Sequence, residues 1–554
     1  MGIYVDQIGY ETKGQKLAMS TSKGSIFVVD AKTGAKVYEA SMQGPVLDPL
    51  SEEQVWAVDI SGLEIPGKYK LVSEDGSESD SFMIGEGLYK DLQKALAKCL
   101  YYQRCGCALL KEHAGIFTHA KCHCNEVITL DDYLSKKPNP DKYIINGGWH
   151  DAGDFGRYST AGAVALGHIL YAYELFADSM QGELNIPETG NGVPDILNEC
   201  RYELDWLIKM QTPDGGVYHK LTAFNHAPFI MPEEDKDQFM LYPVSSMAVA
   251  DYVAVMALAS RVYQKYDPEF SQRALSAARK SFGWLENNGY VGFRNPEGSN
   301  TGWYGDPDDR DERLWAAAEM LRTDKEGNTE AFRKMLNDCL AEDLGKTDFG
   351  WTDVSGFVLL TLLTDPNHCA GAKIEGAGAK TEENLRKILF DKADEFLGIM
   401  KSNGYCLAME KEDFVWGSNM VLLNRAMLLS LASLLSEDKD KKAQYRSAVS
   451  EQMHYLLGRN ALNRSYVTGF GEHAFKNPHN RPTAMDGIDE VMPGWVSGGP
   501  FTHFCDPDAM AILKKGTAPM KCHADVVGSY STNEITIYWN SPAIFVTAFL
   551  NGNY

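Results

Sequence analysis

The chain is short of long apolar runs, of positive charge and of regular cysteine spacing. No stretch of its 554 residues approaches the roughly 20 unbroken apolar positions of a membrane-spanning helix, so a soluble chain without a membrane partner is expected. Lys and Arg number 53 against 76 Asp and Glu, a net charge of −23. Such a surface repels a phosphate backbone or anionic lipid, which argues against nucleic acid and favours a neutral or cationic ligand. The 11 cysteines are odd in number and follow no framework, so free thiols or metal ligands are expected rather than a disulfide scaffold. The N-terminus, Met1-Gly2-Ile3-Tyr4-Val5-Asp6, lacks a basic segment followed by an apolar core. A cytoplasmic location is therefore the expectation, with export and a removed signal peptide as the alternative.

Two textures are present, and they change near residue 88. Before it, short runs alternate at period two: Ile3-Tyr4-Val5, Ser25 to Val29, Val55 to Val58 and Gly67 to Val72, separated by turns such as Asp30 to Gly34 and Ile65-Pro66-Gly67. This pattern predicts a small all-β sandwich. After residue 88 apolar residues recur at helical spacing, as in Ile196, Leu197, Cys200, Leu204, Leu207 and Ile208 behind Pro194. Comparable segments at roughly 88–112, 161–179, 244–265, 270–286, 311–322, 329–341, 353–364, 381–402, 419–436, 441–457 and 541–551 bring the expected helices to about twelve. Long Gly-, Asn- and Asp-rich loops join them, which in an all-α domain tend to carry function.

Two carboxylate clusters stand out. In Gly147-Gly148-Trp149-His150-Asp151-Ala152-Gly153-Asp154, two Asp three apart with small residues between them can face one spot. They could share a water, one polarising it and the other taking its proton, or they could form an Asx turn ahead of the next helix. In Asp525 to Ser541, Glu534 sits among aromatic and apolar neighbours, surroundings that suit a general acid, although a lone Glu can equally be a plain loop residue. The aromatic load of 10 Trp, 27 Tyr and 23 Phe supplies flat rings of the kind on which pyranoses stack.

Taken together the clusters resemble family 9 glycoside hydrolases. The Gly147 to Asp154 phrase is similar to that family's catalytic loop. Further matches follow in order: Gln103 to Gly106, Ile186 to Leu197, Pro243-Val244-Ser245, Asp311 to Ala318, Trp416 to Asn419, Ser465 to Gly471, and the spacing Asp525, Tyr530, Glu534, Asn540-Ser541. The resemblance spans essentially the whole chain and includes the immunoglobulin-like module of one branch. It implies a mainly α fold, an (α/α)6 barrel over 89–554 preceded by an immunoglobulin-like sandwich over 1–88. It also implies hydrolysis of β-1,4-glucosidic bonds with inversion, with cellulose-like glucans or cellodextrins as substrate. By resemblance Asp154 is the general base, Asp151 helps hold the water and Glu534 is the general acid, the acid and base carboxyls standing roughly 6.5–9.5 Å apart. His479 and Arg481 resemble the substrate-holding segment. Trp416, Trp495, Tyr530 and Tyr538 are stacking candidates that could also be core.

Cys105, Cys122, His123 and His150 resemble the branch's zinc ligands. Two thiolates and two imidazoles close a tetrahedral shell, so that site is structural. Asp311, Glu312 and Asp353 resemble the family's calcium site, completed by backbone oxygens near Pro307 and Asp308. Glu188, Asn191 and Asp195 form a second calcium candidate or only cap a helix. No organic cofactor is implied. The sequence departs from the family pattern at His473 and His523, which bears on subsite preference rather than on the reaction. The alternatives are an exo-acting β-glucosidase, cellodextrinase or glucosaminidase on the same scaffold, and a non-catalytic glycan-binding protein. The segment from Asn125 to Lys142 is long enough to wall one end of a groove.

Overall fold

The computed structural model describes residues 2–340, 347–365 and 382–552. Residues 341 and 381, at the ends of two expected helices, and Cys369 lie outside them. Two compact units emerge: one of residues 1–99, 390–484 and 489–554, the other of residues 100–389 and 485–488.

In the first unit, residues up to Gly85 build two sheets. One runs in the order Ile3–Tyr4, Leu17–Ser20, Gln54–Asp59, Ser41–Leu47, and the other Gly9–Glu11, Phe82–Gly85, Gly67–Ser73, Ile26–Asp30, Lys36–Glu39. Pairing is antiparallel except between Gly9–Glu11 and Phe82–Gly85. The period-two residues point inward as expected: Ile3, Val5, Ile26, Val28, Val58, Tyr69 and Leu71 form the sandwich core with Phe82 and Ile84. The sandwich is tied to the C-terminal helices of the same unit by buried polar contacts. Asp6 Oδ2 lies 2.8 Å from His454 Nδ1, and the Gln7 amide donates to the Leu457 carbonyl.

Twelve helices of nine residues or more occur among the described residues, and each answers to one periodic segment. Along the chain, helices buried on one side alternate with helices buried nearly all round. The first kind comprises Lys90–Tyr102, Asp195–Met210, Pro268–Asn287, Thr329–Leu340, Glu382–Lys401 and Lys439–Leu456. The second comprises Ser159–Phe176, Ser246–Tyr263, Arg310–Thr323, Ser355–Leu363, Ser418–Leu435 and Ile537–Asn551. Composition accounts for the alternation: Ala161 to Ala172 carries no charged residue and is mostly apolar on every face, whereas Lys90 to Tyr102 has one apolar stripe. Ser418–Leu435 is long and apolar enough by composition to cross a membrane, but 72% of it is buried inside the protein, as befits a core helix.

Two boundaries differ from expectation. The first helix stops at Tyr102, not 112, and releases Gln103 to Cys107 as a turn. The last starts at Ile537 because the Thr536 side chain caps it, accepting from the Trp539 amide at 3.1 Å, and Pro542 is carried inside. In the second unit a small sheet sits beside the helices, in the order Ile128–Thr129, Met240–Leu241, Lys220–Thr222, Arg157–Tyr158.

Candidate active site

The loop from Asn146 to Tyr158, in the second unit, is fixed by its backbone before its side chains are considered. Gly148 adopts φ +79, and a Cβ there would meet Trp206 at 2.7 Å, so only glycine fits. Its carbonyl accepts from the Cys105 amide at 2.8 Å, and the His150 amide donates to the Gln103 carbonyl at 2.7 Å. The turn released at Tyr102 thus serves as a template for the loop. Trp149 is buried, its amide donating to Glu203 at 2.6 Å and its indole to Glu199 at 2.8 Å. Arg104 in turn grips Glu199 and Glu188.

Asp151 and Asp154 are both buried, at 2% and 6% exposure. Each carboxylate has its own tyrosine. The Tyr304 hydroxyl donates to Asp151 Oδ2 at 2.5 Å, and the Tyr158 hydroxyl donates to Asp154 Oδ2 at 3.3 Å. Asp154 Oδ2 also accepts from the Gly156 amide at 3.0 Å, so the Asx turn is present. Asp151 Oδ1 is buried without a hydrogen-bond partner among the described residues. Burial, then the charge of Asp154, pushes the Asp151 carboxyl well above the ordinary range, against the Tyr304 hydrogen bond. Two neighbours were not anticipated from sequence. His226 Nδ1 stands 3.3 Å from Asp154 Oδ2 at ion-pair distance, though not aligned for a hydrogen bond, and Tyr304 comes from a loop 150 residues downstream. An isolated His in Phe224-Asn225-His226 carries no spacing signal. Tyr304 is marked only by its company, Thr301-Gly302-Trp303-Tyr304.

Glu534 belongs to the first unit. It follows the short turn Tyr530–Asn533, is half-buried, and its carbonyl accepts from the Gly498 amide at 2.8 Å. Asp506 braces the turn by accepting from the Ser531 amide at 3.0 Å and the Ser529 hydroxyl at 3.1 Å. The His479 amide donates to the Asn533 carbonyl, and the His479 ring, bonded through Nδ1 to the Val527 carbonyl at 2.7 Å, packs edge-on against Tyr530. Trp416, 41% exposed, lies 5.5 Å from Tyr530 centre to centre. His479, Tyr530 and Trp416 therefore cluster beside Glu534's turn, and Arg481 is buried two residues on. Trp495 and Tyr538 are core, at 1% and 6% exposure, and leave Trp416 and Tyr530 as the rings with an open face. His523 is buried, hydrogen-bonded to Ser497 at 3.0 Å and edge-on to Tyr466, with burial lowering its pKa to about 3. His473 pairs with Asp80 of the sandwich.

Cys105, Cys122, His123 and His150 bring four donor atoms within 4.8 Å of one another in the second unit. His123 turns Nδ1 towards His150 and Nε2 towards Asp235, 3.3 Å away, the outer carboxylate that orients a metal-bound imidazole. Two soft and two borderline donors at this spacing fit a structural metal.

The expected calcium residues are joined by one the sequence reading missed. Asp251 is the one acidic residue of the largely apolar helix Ser246–Tyr263, and all four carboxylate oxygens of Asp251 and Glu312 are buried without hydrogen-bond partners among the described residues. Burial, then the neighbouring Asp311, pushes both carboxyls well up, and burial raises Asp311 to about 6. Asp311 also binds the Val354 amide at 2.8 Å, which ties it to the Asp353 turn. Such orphaned oxygens suit a hard cation. The second candidate does not assemble: Glu188 is taken by Arg104, Asn191 by Asn198, and Asp195 by the Leu184 amide and Thr189.

Paired carboxylates on a Gly-rich loop, carried by alternating buried and half-buried helices, define a glycoside hydrolase of the (α/α)6 class. The profile of Glycosyl hydrolase family 9 matches residues 89–547, and that of the Cellulase N-terminal ig-like domain matches residues 1–78. The chain belongs to glycosyl hydrolase family 9. It is 40% identical to a cellodextrinase from Butyrivibrio fibrisolvens, over 98% of each chain. It superposes with a TM-score of 0.89 on a single mutant of the thermostable endoglucanase from Alicyclobacillus acidocaldarius, 32% identical over 99% of each chain. A zinc-binding triple mutant of the family 9 endoglucanase J30 is similar too, with a TM-score of 0.88, 29% identity and coverage of 98% of this chain and 100% of that one.

Proposed function

We propose that this enzyme hydrolyses β-1,4-glucosidic bonds of cellodextrins and related β-glucans with inversion. The observation that carries the reading is the pair Asp151 and Asp154, each held through Oδ2 by its own tyrosine while Asp151 Oδ1 is left for a water. Asp154 takes the proton from that water, Asp151 orients it, and Glu534 protonates the leaving oxygen. His479 and Arg481 hold sugar hydroxyls, and Trp416 and Tyr530 offer ring faces. Asp154→Asn and Glu534→Gln, assayed for reducing sugar on cellohexaose, test the assignment. Near-normal turnover in either contradicts it.

Within that reaction we favour short, soluble chains cut from an end. The segment 125–142 is built into the small sheet: Ile128–Thr129 pairs with Met240–Leu241, and Thr129 caps the helix Leu130–Leu134. Tyr133, 39% exposed, stacks on Phe224 at 5.9 Å, two residues before His226. The anchoring of this segment, and the likeness to a cellodextrinase, support release of glucose or cellobiose from the first minutes. A rapid fall in carboxymethylcellulose viscosity contradicts it.

Zinc is the metal we assign to Cys105, Cys122, His123 and His150, because two thiolates with two imidazoles form its usual closed shell. It supplies a crosslink between the 103–107 turn, the 122–123 turn and the catalytic loop. Calcium is assigned to Asp251, Asp311, Glu312 and Asp353, where it neutralises buried carboxylates. We take residues 1–88 as the sandwich module and 89–554 as the hydrolase module. A reducing compartment is proposed, since the ten cysteines among the described residues are all unbridged thiols.

A further inference from the structure

Lys220 lies on the strand Lys220–Thr222, is fully buried, and has no carboxylate within ion-pair distance among the described residues. Its ammonium donates to Asn295 Oδ1 at 2.7 Å, Thr301 Oγ1 at 2.9 Å and the Gly302 carbonyl at 2.6 Å, three points on one loop. Asn295 closes the knot by donating to the Thr301 carbonyl. The rings of Tyr242, Phe293 and Tyr158 surround the charge, with Tyr242 nearest at 4.4 Å. The facing ionisable groups are Asp154, whose charge favours the ammonium, the two tyrosines, and His219 next in the chain. His219 is neutral because burial lowers its pKa to about 3, and it bonds the Trp303 carbonyl at 2.9 Å.

An unpaired ammonium in such a place is costly, and burial accordingly lowers the Lys220 pKa to about 7. Methionine would fill the space without that cost. What the charge holds is the loop that carries the tyrosine contacts. The Gly302 amide donates to the Tyr158 hydroxyl at 3.0 Å, which holds Asp154, and Tyr304, two residues on, holds Asp151. Tyr304 has φ +46, a left-handed conformation that an aromatic residue keeps only when its surroundings over-determine it.

We propose that Lys220 is a positioning residue for hydrolysis. Through the 295–304 loop it sets the two tyrosine hydroxyls that orient Asp154 and Asp151, and its charge favours the ionised form of Asp154. The inference rests on the acid–base reading above.

The test is Lys220→Met and Lys220→Arg on the full chain, with kcat, KM and the pH profile of kcat/KM measured on cellohexaose. Lys220→Met is expected to lower kcat about 100-fold, the scale of a 1 Å misplacement, with KM within about threefold of wild type. Loss of the charge beside Asp154 moves the acidic limb of kcat/KM to higher pH, and Lys220→Arg moves it back. In a Tyr304→Phe background the added loss from Lys220→Met falls below the roughly 100-fold seen alone, because the two changes share the route to Asp151 while the route through Tyr158 to Asp154 remains. Thr301→Val, which removes one of the three acceptors, lowers kcat in the same direction and serves if Lys220→Met does not fold. An unmoved acidic limb, or losses that multiply fully in the double variant, overturns the proposal. Asp154→Asn is run alongside. Turnover retained there sinks the acid–base reading itself, whereas a dead Asp154→Asn beside a normal Lys220→Met sinks only this inference.

Discussion

The loop bearing Asp151 and Asp154 and the turn bearing Glu534 are braced by different chemistry. Around the first stand Arg104, Glu188, Glu199, Glu203, Lys220 and the Cys–His cluster, nearly all buried and most of them charged. The second leans on two carboxylates, Asp506 and, through the Asn533 side-chain amide at 3.4 Å, Asp525, and otherwise on hydroxyls, amides and backbone: Ser529, Ser531, and the Gly498 and His479 amides. Charged and metal-ligating braces titrate and can be stripped of metal, whereas hydroxyl braces do neither. The base side of the reaction should therefore answer to metal removal through its supports, and the acid side, which rests on carboxylates and hydroxyls without metal ligands, should not.

The bluntest way to break this comparison is to remove the acting groups. Asp154→Asn and Glu534→Gln should each lower kcat on cellohexaose by about 100- to 10,000-fold with unfolding midpoints near wild type, so that at this level the two regions look alike. Next in size, Cys122→Ser or a strong zinc chelator should cut kcat about 10- to 100-fold. Metal analysis should show the loss of one zinc, and hydrogen exchange should rise at 147–156 but not at 529–534. Equal loosening of both segments would erase the distinction. Asp506→Ala should destabilise by about 1–3 kcal/mol through its unsatisfied donors, measured by urea unfolding, and leave zinc content and the acidic limb of the pH profile unchanged. The smallest effect concerns Glu203, which burial pushes up to about 8 from an ordinary 4.5. A carboxyl raised on folding contributes stability that is complete below about pH 4.5 and is lost as pH rises through about 8. Glu203→Gln should therefore flatten the decline of the unfolding midpoint between pH 5 and 9, and an unchanged slope would remove Glu203 from the charged brace.

Sequence carried the architecture because periodicity is written locally. The twelve long helices among the described residues answered to apolar spacing, and four of the nine sandwich strands to period two. The boundaries at Tyr102 and Ile537 escaped because they depend on caps and on what the released turn must bind, not on hydrophobic pattern. At the candidate site, Asp151 and Asp154 share one short motif and were legible as a pair, whereas the Cys–His set, spread over 105–150, and His479 came from the family resemblance. Those acting alone from distant segments were not. Tyr304, His226 and Lys220 approach the Asp loop from elsewhere in the chain, and apart from the Thr301-Gly302-Trp303 company of Tyr304 nothing in their own neighbourhoods reports it. Asp251 is the intermediate case, a single acid in an apolar helix, a local contradiction that could have been read as a buried ligand. Tyr538 and Trp495 show the converse: aromatic content gave candidates for stacking, but only packing separates a platform from core.

The central claim is that a water activated by Asp154, with help from Asp151, attacks the sugar directly. Proton NMR of the first minutes of cellohexaose hydrolysis tests it, because the anomeric signal of the new reducing end reports the stereochemistry before mutarotation. The account predicts that the α-anomer appears first. Initial release of the β-anomer would mean retention through a covalent intermediate and would contradict it.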